Sequence, residues 1–369
     1  MLTNKGRTMT ASATAKAYAN LAFIKYWGKA DASLNLPLNG SISMNLSAAS
    51  TITSVSFDER LLSDQVYIHR GAQPESLGQL ELPLENALEQ TAGAFAQRVS
   101  KHLDRLRSLA NTRMRARIVT ANSFPASAGI ASSASGLAAL TVAAAAALKL
   151  DLSERELTVL ARRGSGSACR SIPAGFVEWY AAVRSEDSYA TQLAPPEHWP
   201  IVDLAVIVSH GSKKVASSEG HALVMASPFW KTRQLDLPDK LKAMRHAILE
   251  RDFSSFGQLL ESEALAMHAI ALTSAYSADD GWYSGIYYWL PETLELLLAV
   301  QEWRSVGLPV YFTLDAGPTV HLLCPAEHAD TLSEAVHTLA ASVEGRRWEL
   351  LRNMPAPGAQ VVIGDGVAS

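Results

Sequence analysis

The stretch from Asn122 to Gly136 reads N-S-F-P-A-S-A-G-I-A-S-S-A-S-G. Just before it, Met114 to Thr120 is strand-like, with Ile118 and Val119 towards its end. Just after it, Leu137 to Leu150 is an alanine- and leucine-rich segment of strong helix formers. The order is strand, small-residue loop, helix. Gly129 and Gly136 allow a backbone to approach a ligand closely. Ser132, Ser133 and Ser135 offer hydroxyls where the first helix N–H groups lack partners, and such a helix start takes anions, phosphate above all. A serine-rich turn that merely caps a core helix has the same composition, and this stretch alone does not separate the two. It is not a Walker A loop, because no Gly-Lys-Ser/Thr follows.

Toward the N-terminus, residues 84–110 have the spacing of a long amphipathic helix, with Leu84, Ala87, Ala92, Phe95, Val99, Leu103 and Leu106 roughly on one face. Arg98, Lys101, Arg105 and Arg107 lie on it and read first as a solvated basic face. Residues 51–70 predict two strands around a polar hairpin, and Ile42, Met44 and Leu46 alternate as in a half-buried strand. Earlier still, from Ala15, a strand runs into A-N-L-A-F-I-K-Y-W-G-K, Ala19 to Lys29. Either this is a strand end with snorkelling lysines, or Lys25, Tyr26 and Lys29 form an anion-binding edge. Residues 1–14 are expected to be a disordered leader.

Toward the C-terminus, Ser153 and Glu156 predict a capping box and a new helix. That helix runs into R-R-G-S-G-S-A-C-R-S, Arg162 to Ser171, where hydroxyls and a guanidinium fork can wrap a phosphate. Cys169 reads as a small buried residue, since no histidine partner is near it in sequence. A strand is predicted over 175–183, and the polar, proline-containing run 185–200 reads as the link between two domains, 15–195 and 196–369. The second half opens with a strand at 203–209, a lysine-serine turn at 212–218 and helices to about residue 275. A helix at 291–304 leads to Y-F-T-L-D-A-G-P, which sets Asp315 where a strand breaks. On this motif alone Asp315 is first a turn former. A helix at 328–343 and a strand at 347–352 close the predicted order.

Composition narrows the class. The 369 residues are 48% hydrophobic and 18% charged, with a net charge of −4, which fits a two-domain globular protein and gives nucleic acid no basic footprint. Two cysteines are too few for a disulfide framework, so a reducing cytoplasm is expected. The longest apolar run is too short to span a bilayer, so no membrane partner is expected. No metal motif such as H-E-x-x-H is present, and no metal ligand is assigned.

Four motifs in one order carry a resemblance: N-x-A-x-I-K-Y-W-G-K at Asn20–Lys29, N-x-F-P-x-x-A-G-x-A-S-S-A at Asn122–Ala134, G-S-G-S-A-C-R-S at Gly164–Ser171, and T-x-D-A-G-P at Thr313–Pro318. The chain, from about Ala13 to Cys324, resembles the mevalonate diphosphate decarboxylases of the galactokinase, homoserine kinase and mevalonate kinase-like superfamily. The resemblance implies a two-domain α+β small-molecule kinase-like fold, with a ribosomal protein S5 domain 2-like first half, a ferredoxin-like second half and a cleft between them. It implies ATP and Mg²⁺, a homodimer, and a mevalonate phosphorylated on its 5-oxygen as substrate. Phosphorylation of the 3-hydroxyl precedes loss of phosphate and CO₂, leaving an isopentenyl phosphate ester.

By motif position, Asp315 matches the family's aspartate, Lys25 the lysine beside it, and Ser218 the hydroxyl residue that completes the catalytic group. Tyr26, Lys29, Arg98, Ser165, Ser167 and Arg170, with Trp27 among them, match substrate-holding positions. Asn20, Asn122, Ser132, Ser133 and Ser135 match the nucleotide side. The chain also departs from the pattern, at Asn39-Gly40-Ser41, at Pro173-Ala174-Gly175, and at Leu265 before the His268-Ala269 pair, after which no proline pair follows. These departures leave the 5-diphosphate and the 5-monophosphate open as substrates, with Lys29 and Arg98 favouring the diphosphate. The alternatives are a mevalonate 3-kinase-type enzyme that stops before decarboxylation, and a non-catalytic binding module. Retention of Asp315 and Lys25 speaks against both.

Overall fold

Alanine packing sets the first half. Ala13, Ala15, Ala17 and Ala19 are buried in the strand Thr10–Ile24, and Ala13 to Ala17 share a core with Ala138, Ala139 and Ala143 to Ala145 of the helix that follows the serine loop. Small side chains on both partners let helix and sheet approach closely and pack to interior density. The computed structural model describes residues 10–69, 88–124, 132–211, 214–278 and 281–364. Gly129 and the rest of 125–131 lie outside the described residues, as do 1–9.

The first sheet runs in the order Gln360–Gly364, Thr10–Ile24, Ser41–Asp58, Arg115–Asn122, Gln65–His69, Leu88–Thr91. Phe176–Trp179 also pairs with Ser41–Asp58 and carries Ala190–Ala194 on its other edge. Only the pairing of 65–69 with 115–122 is parallel among those described. Helices α1 (Ala94–Leu109), α2 (Ser132–Ala147) and α3 (Glu154–Gly164) belong to this half. The α3 capping box forms as expected: Ser153 Oγ accepts from the Glu156 N–H, and the Ser153 N–H donates to Glu156. Cys169 is buried, and burial pushes its thiol up to about 12.

The second sheet has the antiparallel order Tyr311–Thr313, Val320–Pro325, Ile201–Ile207, Glu349–Asn353. Between its strands come α4 (Ser217–Leu223), α5 (Trp230–Glu250), α6 (Phe253–Thr273), α7 (Pro291–Ser305) and α8 (Ala329–Ala341). Phe23, Ile42, Met44 and Phe176 of the first sheet share a core with Ile201, Leu323, Phe256 and Leu260 of the second half. The two sheets are thus held by one apolar seam, at whose edge the catalytic candidates meet. Among the described residues no helix is long and apolar enough to cross a membrane.

Several boundaries differ from expectation. Residues 10–14 are not leader: Thr10 to Thr14 pair with Asp58 to Ser54, because alternating Ala and Thr suit a strand flanked on both sides. Residues 41–58 are one strand of 18 residues rather than parts of several. Of the expected helix at 84–110, residues 84–87 lie outside the described residues, Leu88–Thr91 is a strand beside Gln65–His69, and the helix is Ala94–Leu109. Inside the expected link, Ala190–Ala194 is a sheet strand. After the strand at 349–353 the chain returns to the first sheet as Gln360–Gly364.

Candidate active site

The strand Thr10–Ile24 ends at the sheet seam and delivers Lys25 into a cleft of about 750 Å³. Lys25 Nζ donates to Asp315 Oδ1 at 2.8 Å and to the Ala22 carbonyl at 2.6 Å. Asp315 comes from the opposite half, where Tyr311–Thr313 ends and the chain turns, the Gly317 N–H donating to the Asp315 carbonyl at 2.7 Å. Burial pushes Lys25 below its ordinary value, against the pull of Asp315. Burial alone would raise Asp315, but Lys25, His321 and Arg170 together hold it below the usual carboxylate range. An ionised, half-buried carboxylate therefore faces the cleft beside a buried amine.

Anion-binding groups surround this pair. Arg170, in the short 3₁₀ turn Gly166–Ser171, is buried and aimed by three bonds. Its Nε and Nη2 donate to Asn20 Oδ1 at 3.1 and 2.9 Å, and Nη1 donates to Ser41 Oγ at 2.8 Å. Two of its five N–H groups remain for a guest. Gly166 is tight here, since a Cβ would sit 2.7 Å from the Tyr26 ring. The Tyr26 hydroxyl is buried without a hydrogen-bond partner among the described residues, and burial raises it above its ordinary value, so it stays a donor. Lys29 Nζ donates to Asn35 Oδ1 at 2.8 Å, and burial, then Arg98, push the ammonium down. Ser165 and Ser167 line the same wall, and Ser133 Oγ is 3.4 Å from Ser165 Oγ.

Of the residues expected from sequence, Lys25, Tyr26, Trp27, Lys29, Arg98, Ser132, Ser133, Ser165, Ser167, Arg170, Ser218 and Asp315 line the cleft. Ser218 stands on α4, exposed at the cleft rim. The other three stand behind the wall. Asn20 is buried, aims Arg170 and donates to Ser171 Oγ at 2.8 Å. Ser135 is buried with its Oγ 2.7 Å from Thr51 Oγ1, and Thr51 in turn donates to Asn122 Oδ1 at 2.7 Å.

The domain profiles of diphosphomevalonate decarboxylase-like N-terminal domain and mevalonate 5-diphosphate decarboxylase C-terminal domain match residues 17–190 and 204–356. The diphosphomevalonate decarboxylase of Candida albicans is 32% identical over 360 residues, covering 95% of each chain. The chain belongs to the diphosphomevalonate decarboxylase family. Another member, the phosphomevalonate decarboxylase of Haloferax volcanii, is 31% identical over 88% of this chain and 91% of its own. The mevalonate diphosphate decarboxylase structure from Staphylococcus aureus superposes with a TM-score of 0.82 at 32% identity, covering 96% of this chain and 98% of the other. A structure described as MDDEF in complex with MVAPP, AMPPCP and magnesium has a TM-score of 0.81 at 32% identity, covering 96% and 99%.

In this family member, sequence reasoning overlooked His221, Asn35 and the Arg233–Glu263 pair. His221 Nδ1 accepts from the Gly28 N–H at 2.9 Å, and its ring lies 4.2 Å from that of Tyr26. Burial, then Lys29 and Arg170, push it down to about 3, so it is neutral in the working range. Arg233 binds Glu263 and donates to the Lys25 carbonyl at 2.8 Å, fixing the backbone that presents the amine. A histidine two residues before a helix end and an arginine in a polar helix carry no local sign of such roles.

Proposed function

We propose that this chain catalyses ATP-dependent decarboxylation of a 5-phosphorylated mevalonate, the 5-diphosphate being the substrate the cleft fits best. The observation that carries the reading is the Lys25–Asp315 pair, 2.8 Å apart, at the centre of a ring of anion-binding groups. A tertiary 3-hydroxyl is a poor nucleophile and needs a carboxylate to orient it or take its proton. Asp315, kept ionised by Lys25, supplies one. The terminal phosphoryl group of ATP passes to the 3-oxygen and the hydroxyl proton to Asp315. The C3–O bond then breaks, phosphate leaves with its electron pair, and the C1–C2 bond electrons form the new double bond as CO₂ departs. Positive charge builds at C3 meanwhile, and Asp315, ionised again once it has released that proton to solvent, stabilises it.

Arg170, Tyr26, Ser165 and Ser167 are placed to grip the carboxylate and the first phosphate, and Lys29 and Arg98 to grip a second. That extra pair of cations is what favours the diphosphate. Ser132 and Ser133, in the first turn of α2, suit the nucleotide phosphates. Mg²⁺ fits this donor set, in which the hydroxyls of Ser132 and Ser133 would help to hold it, and when bound it would screen the charge of the phosphates. We also read the chain as a cytoplasmic homodimer, in keeping with its two buried, unpaired thiols, with light scattering on the purified protein as the check.

The test is to incubate the chain with ATP, Mg²⁺ and, separately, mevalonate, its 5-phosphate and its 5-diphosphate, measuring ADP and CO₂. CO₂ from the 5-diphosphate is expected. CO₂ from the 5-phosphate alone would reassign the substrate, and ADP without CO₂ would make the enzyme a 3-kinase.

A further inference from the structure

His221 stands on α4 of the second half but is held by the first. Its Nδ1 accepts the Gly28 N–H at 2.9 Å, and its ring packs 4.2 Å from the Tyr26 ring and 4.7 Å from the Trp27 ring, tilted by 35° and 40°. A backbone N–H can only donate, so Nδ1 carries a lone pair. An imidazole whose Nδ1 accepts keeps its proton on the other nitrogen, and Nε2 is therefore an N–H donor. The hydrogen bond alone fixes this tautomer. Among the described residues none accepts from Nε2, yet it is not sealed from solvent as the Tyr26 hydroxyl and Trp27 Nε1 are. With Nδ1 tied to Gly28 and two rings packed against it, His221 lines the cleft with its Nε2 edge open to a guest.

The charged groups that bear on this ring are cations, Lys29 first, then Arg170 and Arg233. Arg233 is spent on Glu263 and the Lys25 carbonyl, whereas Lys29 and Arg170 line the cleft beside His221. The acceptor drawn into this corner is an anion. A third cation in place of His221 would repel Lys29 and Arg170 in the empty cleft, while a neutral N–H adds a donor without adding charge. The bond from Gly28 also keeps the ring neutral when an anion arrives, because Nδ1 is not free to take a second proton. In position, His221 touches Tyr26 and is tied to Gly28, the residue before Lys29. It thus stands between the group placed for a first phosphate and the group placed for a second.

We propose that His221 is a further substrate-binding residue of this cleft, which donates its Nε2–H to a phosphate oxygen of the 5-phosphorylated substrate between Tyr26 and Lys29. The inference deepens the proposed function and rests on it for the identity of the substrate, while the bond itself asks only for a phosphate. The competing account is that the ring serves only to hold the Gly28 N–H. On that account Nδ1 matters and Nε2 does not.

Two substitutions separate the nitrogens. In His221→Asn the side-chain oxygen stands near the place of Nδ1 and keeps an acceptor for Gly28, while nothing reaches the place of Nε2. In His221→Gln the amide N–H reaches the place of Nε2. Binding of mevalonate 5-diphosphate and, separately, of inorganic diphosphate is measured by titration calorimetry on the full chain, and KM is measured from CO₂ release. His221→Asn is expected to weaken both probes about tenfold, the loss of one hydrogen bond to a charged group, and to raise the KM for the 5-diphosphate as much, with the KM for ATP unchanged. His221→Gln is expected to recover most of that loss. In the wild-type chain labelled with ¹⁵N at histidine, the His221 Nε2–H resonance, assigned with either variant, is expected to shift with both probes and not with unphosphorylated mevalonate. This resonance decides the matter if His221→Asn fails to fold. A folded His221→Asn that binds both probes as the wild type does, or an Nε2–H resonance that ignores them, overturns the inference. A wild-type chain that releases no CO₂ while its Nε2–H responds to diphosphate would instead overturn the proposed function and leave this donor in place.

Discussion

Lys25 has three N–H donors, and the Ala22 carbonyl and Asp315 take two of them. Asp315 is thereby oriented, and the third donor is the one the proposed mechanism leaves for substrate. On the proposed mechanism, replacing Asp315 by alanine removes the base and the fixed anion together. The expected result is a loss of CO₂ release by a factor on the order of 10³ or more, with ATP binding by titration largely intact. Near-normal turnover would sink the mechanism. Arg170 allows a finer test at the same scale. Three of its donors are spent on Asn20 and Ser41, which fixes the plane of the fork and leaves one N–H on each terminal nitrogen for a bound anion. A lysine there keeps the charge and loses the fork, so substrate binding should weaken by about 2 kcal/mol, read as a raised KM for the phosphorylated mevalonate. An unchanged KM would make Arg170 purely structural. Most of this constellation was legible in sequence, because each group sits in a dense local motif. What stayed hidden was the rest: Arg233, Glu263 and His221 are placed by tertiary neighbours and carry no motif of their own.

At the scale of the element, the start of α2 shows how finely one turn divides labour. Ser132 and Ser133 line the cleft, whereas Ser135, two residues on, is turned inward against Thr51. Sequence reading placed all three on the nucleotide because they share a motif, and it could not see that a rotation of about 100° per residue sends the third into the sheet. Ser133→Ala should raise the KM for ATP roughly tenfold, the loss of one hydrogen bond to a charged group. Ser135→Ala should leave that KM alone and cost about 1–2 kcal/mol of stability in denaturant unfolding, since Thr51 loses a buried partner. The reverse pattern would exchange their roles. Elements with strong local signals were read well: the α3 capping box, the helix at 291–305 and the strand that breaks before Asp315. Leu88–Thr91 and Ala190–Ala194 were missed because short polar strands owe their existence to the neighbour they pair with.

Across the whole molecule, the two halves are tied together by contacts far apart in sequence. The chain leaves the second sheet at Asn353, passes Asn45 and Ile172, and joins Thr10–Ile24, the strand that delivers Lys25, as the edge strand Gln360–Gly364. Local pattern could not reveal a pairing that spans nearly the full chain. Each half also buries a histidine away from water. His102, bonded to Thr141 at 2.8 Å, and His268, against Trp289, are both pushed down to about 3, chiefly by burial. An exposed histidine in the unfolded chain protonates near its ordinary 6.5. Between those values the unfolded chain binds protons that the folded one refuses, so stability is full above about pH 6.5 and is lost as pH falls towards 3. With His221, likewise pushed down to about 3, there are three such groups, and they give a slope of roughly 4 kcal/mol per pH unit once below about pH 5.5, enough to exhaust an ordinary stability of about 5–15 kcal/mol within a few units. Urea midpoints measured at half-unit steps from pH 7.5 to 4.5 should therefore fall steadily below pH 6.5. His102→Gln, which cannot protonate, should remove about a third of that slope while leaving the contributions of His221 and His268. A slope unaltered by the substitution would mean that His102 is already charged, or already reached by water, in the folded protein.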